Sequence, residues 1–194
     1  MLIGNKKSKK EVVAEFRMAE LLEAARVVFA GKGFQSATVD DIADAAGVAK
    51  GTVYLYYRSK REIYWAALER GVLDLFEETR KNVESARTPE AKLHAFVATK
   101  IAYFDRHRDF FKIYFSEFGS ALTQPAHIYK HFEGLYLRYA GLLTSILQEG
   151  IKRKVIRNAR PEMAAHAISD VIRGVTTQRI LGWSKTEIDD EVEF

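Results

Sequence analysis

"TVDDIADAAGVAKGTVYLYYRSKREIY", residues 38–64, reads as two short helices folded around one glycine, followed by the start of a third. Thr38 takes the N-cap position and Asp41 stands three residues on, the reciprocal pair of a capping box, while Asp40 and Asp41 suit the positive end of the helix dipole. Val39, Ile42, Ala43 and Ala46 fall on one side of that helix. Gly47 permits the left-handed backbone of a sharp turn, and Val48 drops back onto the core. The next helix is expected over about 49–56. Ser59 and Glu62 predict a second capping box that opens a longer one.

Two short helices joined in this way and packed on a first helix make a helix-turn-helix, whose second helix lies in the DNA major groove. The tyrosines then sort themselves. Val53 and Tyr57 lie four apart and share the inward stripe with Val48, whereas Lys50, Thr52, Tyr54 and Tyr56 fall on or beside the opposite side. Tyr57 is expected in the core. Tyr54 and Tyr56 are expected at the surface, where a phenol can bond a phosphate oxygen and its ring can pack on a sugar or a thymine methyl. Gly51 leaves the helix bare for close approach to the duplex. Taken singly, each tyrosine could instead cover the join to the following helix; the turn glycine, the capping pairs and the charge together favour DNA.

The charge is concentrated here. Of the 194 residues, residues 1–61 hold eleven Lys and Arg against seven Asp and Glu, while residues 62–194 hold nineteen of each, so the whole formal excess of +4 lies in the first third. A local positive excess is the footprint of a phosphate-binding surface. With 47% hydrophobic residues and no apolar run of membrane-spanning length, the chain is expected to be soluble, to bind no membrane and to be cytoplasmic. The absence of cysteine excludes disulfides, thiolate metal sites and cysteine nucleophiles.

Outward from this segment, apolar residues recur at three- and four-residue steps with no sustained alternation, which predicts an all-α protein. Met18, Leu22, Ala25 and Phe29 form one face of a first helix that stops near Gly31 and Gly33. A long helix is expected from Ser59 to about Ser85. Another opens at Thr88-Pro89, followed by an aromatic-rich stretch to Gly119, a helix over about 126–153 and a last helix from Pro161.

The stretch "ELLEAARVVFAGKGFQSATVDDIADAAGVAKGTVYLYYRSKREIY" resembles the TetR family of bacterial transcriptional regulators over about residues 17–65. It follows the pattern A-A-x-x-x-F-x-x-x-G-[FY]-x-x-[TS]-[TS] and then I-A-x-x-A-G-V-[SA]-x-G-[TL]-x-Y-x-[HY]-[FY]-x-[SN]-K. Tyr57 departs from it, since the family usually has Phe there, and a buried phenol wants a partner. The resemblance implies a three-helix DNA-binding domain over residues 1–60, with residues 1–10 as a basic arm, and a helical ligand-binding and dimerisation domain over 61–194. It implies a homodimer on a double-stranded DNA operator. Thr38 and Lys60 are then phosphate contacts, and Lys50, Gly51, Thr52, Tyr54 and Tyr56 recognition-helix contacts. Lys6, Lys7, Lys9 and Lys10 form either an arm that reaches a neighbouring groove or a solubilising tail.

In the second half, Phe104, Phe110, Phe111, Tyr114, Phe115 and Phe118 crowd together, with Tyr129, Phe132, Tyr136 and Tyr139 on the next helix. Such rings fill a core or wall a pocket. The candidate pocket set is Phe104, Phe111, Tyr114, Phe115, Phe118 and Tyr136, with Arg173 and Gln178 to orient a polar end or to bond across the dimer. An apolar, aromatic wall favours a small hydrophobic effector. Leu142, Leu143, Ile146, Ile168, Val171, Ile172 and Val175 are the candidate dimer surface, two helices from each subunit making a four-helix bundle. His127 and His131 lie four apart but lack a third ligand, and are expected to be surface histidines rather than a metal site. No phosphate-cradling loop, nucleophile elbow or H-E-x-x-H pair is present, so no catalytic residue and no cofactor is expected. The expected function is a ligand-responsive repressor; the rival is an architectural or partner-recruiting DNA-binding protein without small-molecule input.

Overall fold

The computed structural model describes residues 8–121, 125–157, 159–188 and 190, and within them the side chains outside 117–133, 135 and 136. Among the described residues every regular element is a helix: α1 (Lys9–Ser36), α2 (Val39–Ala45), α3 (Lys50–Tyr54), α4 (Lys60–Ser85), α5 (Pro89–Arg106), α6 (Arg108–Ala121), α7 (Pro125–Lys152) and α8 (Pro161–Ile180).

α1 begins further upstream than a basic arm over residues 1–10 would allow. Ser8 and Glu11 form a capping box, with Ser8 N donating to Glu11 Oε2 at 2.7 Å and Glu11 N to Ser8 Oγ at 3.3 Å. Lys9 and Lys10 are therefore the first residues of the helix; Lys6 and Lys7 lie outside the described residues. The helix breaks at Gly33, with φ 73° and ψ 164°. Its buried face is Leu21, Ala25, Val28 and Phe29, whereas Met18 is 37% exposed. Apolar residues ring this part of α1, so periodicity fits more than one stripe, and contact with α2, α4 and α6 selects the one that is buried.

The α2–α3 corner forms as its residues dictate. Thr38 N donates to Asp41 Oδ2 at 2.9 Å and Asp41 N to Thr38 Oγ1 at 3.1 Å. At the far end Gly47 has φ 64°, Gly47 N donates to Asp44 O at 3.1 Å and Val48 N to Ala43 O at 3.0 Å, the paired bonds of a Schellman motif. α3 is shorter than the expected span: Leu55 N and Tyr56 N donate three residues back, to Thr52 O and Val53 O, tightening the helix into a turn. The Ser59 box is only half formed. Ser59 Oγ accepts from Glu62 N at 3.1 Å, but the Glu62 carboxylate takes Arg58 N at 2.6 Å instead of closing on Ser59.

Two apolar clusters hold the chain together. One runs from Phe29, Ile42, Val53 and Tyr57 through Ile63, Tyr64 and Leu68 to Val72, Leu75, Phe104 and Phe110, so it passes without a break from the helix-turn-helix along α4 into the second half. The other gathers Val83, Phe96, Ile101, Leu143, Ile146, Leu147, Ala165 and Ile172. Each large apolar side chain buried this completely contributes about 1.5–3 kcal/mol. Tyr139 packs on both clusters. Two ion pairs lace the second half, Lys92 Nζ to Glu149 Oε2 at 2.6 Å and Arg179 Nε to Asp105 Oδ2 at 2.8 Å.

Burial corrects part of the expected dimer surface. Leu143, Ile146 and Ile172 are 0–2% exposed inside the subunit, because α7 and α8 pack on α5 and on each other, and these residues cannot face a partner. Leu142, Ile168 and Val175 are half-buried against the same cluster. Val171 is exposed, and Leu137 and Met163, which the apolar stripe did not single out, are exposed with it.

Candidate nucleic-acid interface and effector cavity

α3 presents a surface fitted to a duplex. Gly51 is exposed and nothing approaches the position a Cβ would occupy, so a phosphate backbone can come close to the helix there. Tyr54 is 48% exposed, Lys50 is exposed beside it, and Thr52 is half-buried. Tyr56 is half-buried and packs on the core edge, so less of its ring is free than its expected position on the outer side implied. Leu55, 80% exposed at the end of α3, was not foreseen; its place between Tyr54 and Tyr56, where α3 tightens into a turn, turns it outward.

Local ion pairs hold this surface in shape. Lys50 Nζ meets Asp40 Oδ2 at 2.7 Å, which raises the Lys50 pKa, chiefly through that hydrogen bond. Lys32 Nζ meets Asp41 Oδ1 at 2.7 Å. That bond, followed by those from the Thr38 backbone and side chain, holds the Asp41 carboxyl down at about 2. Thr38 is exposed, although its hydroxyl already accepts from Asp41 N.

Lys60 occupies a different position from the one expected of a phosphate contact. Its ammonium donates to Phe34 O at 2.6 Å, Ala37 O at 2.7 Å and Gln35 O at 3.1 Å, and lies 4.7 Å from the Phe34 ring centroid. Those carbonyls end α1 and would otherwise lack donors. All three ammonium protons are used, so a phosphate oxygen would compete with bonds that fix the α1–α2 link.

The second feature is a cavity of about 440 Å³ lined by α4 to α8, within the size range of small-molecule sites. Phe104, Tyr114, Phe115 and Arg173 line it, as the candidate set had them. Phe111 does not: it is 5% exposed and stacks on Phe115 at 4.0 Å, supporting the wall from behind. Gln178 lies on an exposed face of α8, away from the lining, one helical turn beyond the cavity. The side chains of Phe118 and Tyr136 lie outside those described, as do those of His127 and His131.

The lining also contains groups that the sequence reading missed. Val72 and Leu75 come from α4, Lys100 from α5, and Tyr139 from α7. The Lys100 ammonium sits 4.9 Å from the Tyr139 ring centroid and 5.5 Å from that of Phe96. Burial, and then the positive charge of Arg173, lowers the Lys100 pKa to about 8. The signal was present in the sequence: Phe96, Lys100 and Phe104 occupy one i, i+4 stripe, so a lysine interrupts an otherwise apolar face. Among the described residues no group of three metal-binding side chains occurs, and no helix is long and apolar enough to cross a membrane.

A helix-turn-helix head whose core runs along one helix into an all-helical body with an internal cavity defines a DNA-binding transcriptional regulator. Residues 21–67 match the pattern described as "Bacterial regulatory proteins, tetR family", and residues 86–177 that of "Tetracyclin repressor-like, C-terminal domain". The chain belongs to the TetR family. It is 30% identical over 161 residues to the HTH-type transcriptional repressor KstR2 of Mycobacterium tuberculosis, covering 82% of this chain and 78% of that one. In fold it is similar to a putative transcriptional regulator from Pseudomonas aeruginosa PAO1, with a TM-score of 0.78, 22% identity, and coverage of 93% of this chain and 86% of that one. It is likewise similar to FadR of Bacillus subtilis in complex with stearoyl-CoA, with a TM-score of 0.72, 20% identity, and coverage of 90% and 93%. Membership of this family makes the chain a regulator rather than an enzyme.

Proposed function

We propose that this protein is a cytoplasmic repressor that binds a palindromic operator as a homodimer and releases it when a small hydrophobic molecule enters the α4–α8 cavity. Residues 1–60 act as the DNA-binding domain and residues 61–194 as the ligand-binding and dimerisation domain. Lys50, Gly51, Thr52, Tyr54 and Tyr56 read the major groove, and Thr38 contacts a phosphate. The exposed apolar residues of α7 and α8, Leu137, Met163 and Val171, face the partner subunit.

The observation that carries this reading is the double use of α4. Its first turn holds the helix-turn-helix through Lys60, and its middle lines the cavity through Val72 and Leu75. A ligand pressing on Val72 and Leu75 acts on the same rigid helix that orients α3. In a dimer each head must meet one half-site, so a small change in the tilt of α4 alters the distance between the two recognition helices. A ligand favouring the released state by about 100-fold supplies roughly 2.7 kcal/mol of coupling. The existence of a cavity supports this reading over a purely architectural role, which needs none.

Selection of bound duplexes from a random pool at near-physiological salt tests the first half of the proposal. Recovery of a two-fold symmetric site is expected; recovery of no preferred sequence would overturn the operator reading. Titrating candidate effectors against the recovered site tests the second half.

A further inference from the structure

The lining of the cavity is apolar on most sides, with Val72, Leu75, Phe104, Phe115 and Ile172, yet it contains Lys100, a cation with no counter-ion among the described residues. Lys100 makes no hydrogen bond or ion pair among the described residues, and its ammonium is met only by the faces of two rings. Asp170, the one carboxylate among the described lining residues, is already paired with Arg173 one turn along α8. The positive charge of Arg173 adds to that of Lys100 instead of relieving it. Tyr139 presents its ring face to the ammonium, while its hydroxyl is buried on the Thr79 side, where the Thr79 hydroxyl donates to Leu75 O at 2.8 Å. A cavity with these walls has unmet demand for a negatively charged acceptor, and a hydrogen bond between two charged groups is among the strong ones.

We propose that the effector is a monoanionic amphiphile, an apolar body bearing one free carboxylate, with the carboxylate seated against Lys100 and the body against the α4 and α6 walls. This rests on the reading of the cavity as the effector site and names the chemistry of its occupant. A neutral carbonyl or hydroxyl could accept a hydrogen bond from Lys100 but would leave its charge uncompensated. A carboxylate supplies the missing counter-charge, and its ion pair with Lys100 restores the preference of the lysine for its charged form. The fit differs from that for a thioester, whose carbonyl is neutral and whose large polyanionic carrier would have to leave the enclosure.

The test is isothermal titration of the full-length protein with decanoate, methyl decanoate, decanol and decanoyl-CoA, repeated on Lys100→Met and on Lys100→Gln, with thermal melting to confirm that both variants are folded. Decanoate is expected to bind wild type at least about tenfold more tightly than the ester, the alcohol or the thioester. Both variants are expected to lose that preference while keeping or gaining affinity for the ester. Equal binding of acid and ester by wild type, tighter binding of decanoyl-CoA, binding of none of the four, or a preference that survives in either folded variant would overturn the proposal. Operator affinity measured alongside separates the two readings. A carboxylate preference without any change in DNA binding would sink the effector role and leave this assignment standing; release of DNA by the ester as readily as by the acid would do the reverse.

Discussion

The Lys60 ammonium donates to the Ala37 carbonyl at 2.7 Å, across 23 residues of sequence, and so ties the first turn of α4 to the link between α1 and α2. Two further carbonyls of the same link share the ammonium. Lys60→Met should therefore destabilise the protein by roughly 1–3 kcal/mol, because it strips donors from partly buried carbonyls. Operator binding should weaken through a loosened head, with the slope of log affinity against log salt unchanged. Loss of a direct phosphate contact would instead lower that slope by about one unit without a large change in melting temperature. Measuring salt dependence and melting on the same variant decides between anchoring and phosphate binding.

Tyr57 is 4% exposed and its hydroxyl has no partner. Burial, with a lesser effect from Glu62, pushes the phenol up to about 12. Tyr57→Phe removes an unsatisfied buried polar group while keeping the ring, so it should stabilise the protein by about 1 kcal/mol, or roughly 2–4 °C in melting temperature. Operator affinity should not change. A lower melting temperature would mean that the hydroxyl is satisfied in solution, for example by water.

Asp41 titrates at about 2 in the folded chain, against an ordinary value of 3.8. A depressed carboxylate contributes stability above its unfolded pKa and loses it as pH falls through its folded one. Acid unfolding should therefore draw on Asp41 between about pH 4 and pH 2, and Asp41→Asn should flatten stability against pH in that window. Monitoring the Asp41 side-chain carboxyl carbon by NMR checks the titration directly; a midpoint near 3.8 would refute the coupling to Lys32 and Thr38.

Gly71 sits where α4 meets α6. A Cβ there would run into the Phe110 ring, which is itself 1% exposed in the core. Gly71→Ala gains up to about 1 kcal/mol of helix propensity but forces overpacking that costs roughly 1–3 kcal/mol, so net destabilisation is expected. Pairing it with Phe110→Leu should recover part of the loss, and chemical denaturation of the three variants measures the coupling.

Much of the head follows from sequence alone, because its determinants are local. The Thr38–Asp41 box, the turn at Gly47 and the inward Val53 and Tyr57 depend on residues within a few positions of one another, and each adopts the conformation its chemistry favours whatever else the chain does. The helix starts at Thr88-Pro89 and Pro161 were legible for the same reason. Tertiary structure decided what depends on distant partners. Lys60 had the sequence of a phosphate contact, and only the return of α4 against the end of α1 gave its protons to carbonyls. Leu143, Ile146 and Ile172 carried the apolar spacing of an interface, but spacing does not say which neighbour covers a stripe, and α5 covers this one. Lys100 and Tyr139, separated by 39 positions, became neighbours only when five helices closed around a space they did not fill. Local hydrogen bonds and dihedral preferences are written residue by residue; a cavity is a property of the whole packing, and no single stretch of chain encodes it.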